Sequence, residues 1–170
     1  MKIKSTTLFF LFLALNFSFL GYSQSFPVKC EGIWKGTMYI WSRGSVADSV
    51  EVKLTVMKHA EIANRWIWKT EYLSESMPII KDYQLVERDS LRGLYGTDEG
   101  DGIELKNYLF GNKLYSAFDV DGIMLTSSYE LFGNNLIFEV TSGYKIKGKK
   151  KDVDSFSFEV LQRVVFTRIS

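Results

Sequence analysis

Few side chains in this sequence can do covalent or metal chemistry, and they are far apart. His59 is the single histidine and Cys30 the single cysteine. A Ser-His-Asp or Cys-His mechanism would therefore rest on one base. His59 follows Lys58 at the end of a strand-like run, with no orienting group beside it, which reads as a solvated loop histidine. A zinc site built from the usual nitrogen and sulfur ligands would have only these two residues to draw on, so no metal centre is expected. Cys30 reads as a small buried apolar residue. The carboxylates Asp98, Glu99, Asp101 and Glu104 cluster around Gly100 and Gly102. Oxygen ligands so spaced suit calcium, but they lack the twelve-residue pattern of a calcium loop, and an acidic hairpin tip accounts for them. A pair of carboxylates for glycoside hydrolysis would have to be brought together by the fold. These observations favour a protein that is not an enzyme and carries no cofactor.

The elements that must position any site are strands. Val50, Val52, Leu54 and Val56 alternate with Glu51, Lys53, Thr55 and Met57, which is period two with β-branched residues on the apolar side. Trp66, Trp68, Thr70 and Tyr72 share a face in the next run, as do Trp34, Gly36, Met38 and Ile40 in the first. Further on, Gly111-Asn112, Asp121-Gly122, Gly133-Asn134-Asn135 and Ser142-Gly143 offer tight-turn residues at intervals of about ten. The segments between them, Leu114 to Val120, Ile123 to Leu131 and Leu136 to Thr141, are of strand length. Short turns force antiparallel neighbours. Candidate strands at Ile79 to Arg88, Leu91 to Thr97, Ile103 to Phe110 and Ser155 to Ile169 bring the number to about ten. Helical periodicity is missing, apart from one possible turn at His59 to Asn64. Pro78 with Ser74 to Met77, and Tyr144 to Asp154, read as longer loops. The fold class is therefore all-β, as a single antiparallel up-and-down barrel of about ten strands, with a two-sheet sandwich as the alternative.

The N-terminus reads as an address. Lys2 and Lys4 precede an apolar run from Leu8 to Leu15, and no charge follows until Lys29, the pattern of a secretory leader. Gly21 and Ser23 place cleavage before Gln24, with Ser25 next. A retained anchor helix is the alternative. Cys30 stands too late to accept a lipid. The domains are then a signal peptide, 1–23, and one β-barrel domain, 24–170. The expected location is periplasmic or extracellular, without a stable membrane anchor after cleavage. An exported chain with one cysteine has no internal disulfide, so packing must hold the fold. Cleavage removes two of the 21 bases and none of the 20 acids, leaving a net charge of −1. That balance argues against general nucleic-acid binding. Lys145, Lys147, Lys149, Lys150 and Lys151 form one basic run, read as a solubilising loop.

Gly32-Ile33-Trp34 opens the first strand, and Arg168 ends the last. This layout resembles the lipocalins and related calycin barrels, in which a Gly-x-Trp packs beneath a basic residue of the closing strand. Arg163 is a second available partner for Trp34. The resemblance implies structural roles for Gly32, Trp34 and Arg168, and a lumen that can hold a small apolar molecule.

Polar residues inside apolar columns point the same way. Asn107 shares a face with Ile103, Leu105 and Leu109; Ser116 lies among Leu114, Phe118 and Val120; Ser127 lies between Leu125 and Tyr129. Buried without partners, such groups cost about 1 to 3 kcal/mol each. A neighbouring group or a ligand must satisfy them. The candidate ligand-binding set is Trp34, Met38, Trp66, Trp68, Asn107, Ser116 and Ser127. The expected function is non-catalytic binding of a small, mostly apolar ligand. The alternative is an interaction or inhibitor module with a filled core that meets protein or glycan through its loops.

Overall fold

The structure is a computed structural model, and it describes residues 24–76, 78–146 and 154–170. The expected signal peptide and Lys147 to Lys151 lie outside the described residues. Among the described residues one helix, α1 (Phe26–Cys30), precedes ten strands: β1 (Gly32–Ser42), β2 (Ser45–Lys58), β3 (Arg65–Tyr72), β4 (Ile79–Asp89), β5 (Leu94–Asp98), β6 (Glu104–Phe110), β7 (Lys113–Val120), β8 (Ile123–Phe132), β9 (Asn135–Ile146) and β10 (Ser155–Arg168). Every strand pairs antiparallel with its neighbour in sequence, and β10 returns to β1, so the sheet closes into a barrel. Closure removes both free edges of the sheet. It is set by the register Trp34 with Arg168 and Met38 with Val164.

The alternation read from the sequence is the alternation of burial. On β3, Trp66, Trp68 and Thr70 are buried while the residues between them are not, and on β2 Val52, Leu54 and Val56 are fully buried. These faces turn inward because a closed barrel gives each strand one dry side and one wet side. The wet side carries ion pairs such as Lys53 with Glu71 and Arg65 with Asp98.

Three features depart from the sequence expectation. Ser142-Gly143 is not a turn, because β9 runs on to Ile146. The cause is a bulge in β10 between Phe158 and Val160, whose backbone crowds Gly143: a Cβ there would lie 2.1 Å from the Ser157 carbonyl oxygen. Glycine is needed in the strand for close approach rather than for a turn. His59 to Asn64 is a bend and turn and makes no helix. The helix lies instead at Phe26–Cys30, with proline in its first turn, where the missing N–H is harmless.

This short helix closes one end of the barrel. Phe26, Pro27 and Cys30 are buried, and the Phe26 ring stacks on Trp68 at 6.3 Å between centroids. The Trp34 indole Nε1 donates to the Cys30 carbonyl oxygen at 2.8 Å. Trp34, Met38, Leu54, Val56, Leu136, Val164 and Phe166 fill the space above it. Burial pushes the Cys30 thiol well above its ordinary pKa, so it stays a protonated packing group.

Candidate functional site

The closed half of the barrel is solid, and the open half is not. A cavity of about 110 Å³ remains in the upper lumen, lined chiefly by Trp68, Tyr72, Tyr83, Phe118, Tyr129 and Phe138, with Thr97, Asn107, Ser116 and Ser127 among them. Its floor is a chain of rings. Tyr129 stacks on Phe138 at 4.4 Å and takes Trp68 edge-on at 5.1 Å, and Phe26 supports Trp68 from below. Tyr72 and Lys81 line this cavity and also a wider, half-polar vestibule of about 610 Å³ at the mouth, shared with Met38, Val50, Ser76 and Gln162. Lys81 lies over the Tyr83 ring, its Nζ 5.7 Å from the centroid.

Apart from Lys81, the cavity wall carries no ionic side chain among the described residues. Burial raises the Tyr72 and Tyr129 phenols, and burial with nearby Glu99 raises Tyr83 to about 12. All three keep their protons at neutral pH. The walls therefore offer hydroxyl groups and ring faces, and Lys81 is the charged residue among the lining side chains. Such a surface suits an uncharged molecule with at most a small hydrogen-bonding group.

The polar residues singled out by the sequence are brought together here. Asn107 Nδ2 donates to Thr97 Oγ1 at 3.0 Å and to the Leu105 carbonyl oxygen at 2.8 Å. The Ser116 and Ser127 hydroxyls bond each other at 2.9 Å. The protein thus supplies partners that the sequence left open, while all three residues still line the cavity. Both Asn107 bonds use Nδ2, so its carbonyl oxygen takes no part in them. Buried Trp68 Nε1 makes no hydrogen bond of good geometry, although the Tyr129 hydroxyl lies close enough to temper that deficit.

The other expected residues are dispersed. Met38 lines the vestibule. Trp66 is buried, and its Nε1 donates to Glu31 at 3.0 Å, which fastens β3 to the segment after α1. Trp34 belongs to the packed base. Arg168, rather than Arg163, covers it: the guanidinium carbon sits 4.4 Å from the Trp34 ring centroid, and Nη2 donates to the Lys29 carbonyl oxygen at 2.6 Å. Arg163 faces outward to Glu139. Gly32 has φ of +135°, and a Cβ there would meet the Ser170 carbonyl oxygen at 2.5 Å. Sequence reasoning missed Tyr72, Lys81, Tyr83, Tyr129 and Phe138. All five sit at inward period-two positions of strands it had placed, Phe138 alternating with Leu136 on β9.

His59 Nδ1 accepts from the backbone N–H groups of Glu61 and Ile62; it organises the β2–β3 loop. The acidic cluster forms the β5–β6 hairpin tip. There Asp98 and Asp101 accept from Gly100 and Ile103 N–H groups, while Glu104 pairs with Arg88. Among the described residues no group of three His, Cys, Asp or Glu side chains could hold a metal ion.

The architecture, an all-antiparallel closed barrel of ten strands, is compatible with a calycin-like barrel. No protein-family model matches the chain, and no curated protein matches it.

Proposed function

We propose that this protein is an exported, non-catalytic barrel that binds a small, mostly apolar molecule in its upper lumen, as a lipocalin-like carrier does. The observation that carries the reading is the ring-floored cavity of about 110 Å³ opening toward a wider vestibule. A dry cavity of roughly 150 Å³ accepts benzene in another protein, so the buried part of the ligand is about one ring or a short alkyl chain. Any bulkier or more polar part belongs in the vestibule. The neutral phenols and the hydroxyls of Thr97, Ser116 and Ser127 fit a phenol or small ketone.

Calorimetric titration with p-cresol tests this. The wild-type protein is expected to bind one equivalent, and Val140→Phe, which fills the cavity from β9, is expected to bind none while keeping its circular dichroism. No heat with wild-type protein, from p-cresol or from toluene, would contradict the reading.

One observation favours the interaction module instead. Tyr39 and Trp41 on β1 pack at 5.7 Å, and Phe156 and Phe158 on β10 pack at 6.3 Å. Tyr39, Phe156 and Phe158 are exposed. Trp41 stands opposite Leu161, so an apolar patch runs over the outside of the barrel near its mouth. Under this reading Phe156→Ser with Phe158→Ser abolishes association with the partner and leaves p-cresol uptake unchanged.

A further inference from the structure

The barrel wall is not uniformly sealed. Between β6 and β7 the register covers Tyr108 with Tyr115, Leu109 with Leu114 and Phe110 with Lys113, and then stops. Every other pair of neighbours is joined by at least five residue pairs, those of β4–β5 interrupted by a bulge between Glu87 and Asp89. Above Tyr108, the β6 residues 104–107 pair with β5 alone, and the β7 residues 116–120 pair with β8 alone.

Side chains respect the same boundary. Asn107 bonds back to Thr97 on β5 and to Leu105 on its own strand. Ser116 bonds forward to Ser127 on β8. Among the described residues no side-chain hydrogen bond joins 104–107 to 116–120. Each bank of the seam is therefore satisfied without the other, and parting them breaks no such bond. Ladder hydrogen bonds are what hold neighbouring strands together, and here the paired ladder ends at Tyr108 and Tyr115.

The seam also lies over the site. Leu105 and Asn107 on one bank and Ser116 and Phe118 on the other line the cavity. At the mouth, by contrast, the throat is set by Tyr72, Lys81 and Tyr83, with Lys81 held over the Tyr83 ring. The axial route is lined by two phenols and a cation; the lateral route is lined by Leu105 and Phe118 with the small polar Asn107 and Ser116 beneath them.

We propose that the β6–β7 seam is the way into the lumen: its banks part to admit an uncharged, single-ring molecule sideways, between Leu105 and Phe118, without displacing Lys81 and Tyr83 at the mouth. This inference rests on the cavity being a binding site. It adds the route, and a selectivity for molecules that can cross a narrow, apolar slit without a charge. Motion of this kind belongs to the microsecond-to-millisecond range of local opening.

A staple across the seam tests it. Carrying the register on by two residues from Tyr108 and Tyr115 places Lys106 opposite Ala117, both exposed. The variant Lys106→Cys with Ala117→Cys is oxidised to the disulfide, and stopped-flow tryptophan fluorescence follows p-cresol uptake before and after reduction. Cys30 is fully buried and stays out of the exchange. Uptake at least tenfold slower in the oxidised form, restored by reduction, is the expected result. A second staple nearer the mouth, Glu104→Cys with Asp119→Cys, is expected to act alike and serves if the first fails to close. Equal uptake rates in the oxidised and reduced forms would overturn the seam and leave the cavity standing. No uptake in either form, nor in wild-type protein, would overturn both.

Discussion

The Arg168 guanidinium lies over the Trp34 ring, its carbon 4.4 Å from the centroid, and its Nη2 donates to the carbonyl oxygen of Lys29. One side chain from the last strand thereby joins the first strand to the helix that closes the barrel. Trp34 completes the link through its own bond to the Cys30 carbonyl oxygen.

Removing that clasp has a predictable cost. Arg168→Met loses a cation–π contact and a charge-assisted hydrogen bond, so urea unfolding is expected to show a loss of about 1 to 2 kcal/mol. Arg168→Lys recovers only part of it, because an ammonium lacks the planar face and fork of a guanidinium. Arg163→Met, which touches Glu139 rather than Trp34, is expected to cost less than about 1 kcal/mol.

Gly36 is a steric requirement of the same β1–β10 contact. A Cβ there would sit 2.6 Å from the Val165 carbonyl oxygen and 2.8 Å from Val164 Cγ2. Backbone cannot yield as a flexible side chain can. Gly36→Ala is therefore expected to destabilise the fold by about 1 to 3 kcal/mol, measured as a lower urea midpoint at unchanged m-value.

Ser116 and Ser127 form a closed pair, so their contributions are not additive. Either single change to alanine strands a hydroxyl facing the cavity, at about 1 kcal/mol. Changing both removes donor and acceptor together, and the double variant is expected to cost less than the sum of the singles. Additive costs would show that each hydroxyl is satisfied by something other than its partner.

Glu71 supplies a pH dependence. Its hydrogen bond from Lys53, with the charges of Lys53 and Lys69 behind it, holds the carboxyl below the ordinary value of 4.5, against the opposing effect of burial. A depressed folded-state pKa gives stability that is present above about pH 4.5 and is lost as pH falls through the folded value. Glu71→Gln should flatten that acid limb. The pair is partly exposed, so the difference is expected to be about 0.5 kcal/mol or less.

Much of this architecture was legible in the sequence because a barrel writes itself as period two. The Val52, Leu54, Val56 column and the Trp66, Trp68, Thr70 column were readable as inward faces, and Gly111, Asp121-Gly122 and Gly133 marked true hairpins. The failures have local causes. Gly143 has the composition of a turn, but it serves a bulge on another strand, a long-range contact that spacing cannot reveal. The plug helix Phe26–Cys30 is five residues long, too short for helical periodicity to register, although proline near its start was a usable sign. The site was half legible. Asn107, Ser116 and Ser127 stood out as polar residues on apolar faces, and they do meet. That Asn107 and Ser116 find partners only within their own halves of the wall depends on where β6 and β7 stop pairing, and no residue pattern announces it.

The central claim is that the upper lumen is a binding site rather than a packing defect. Native mass spectrometry of the protein purified gently from its own host addresses it most directly. A satellite peak carrying one small, uncharged molecule, absent from Val140→Phe prepared in the same way, is the predicted result. A bare polypeptide mass for both proteins, with the wild type also failing to take up p-cresol, would contradict it.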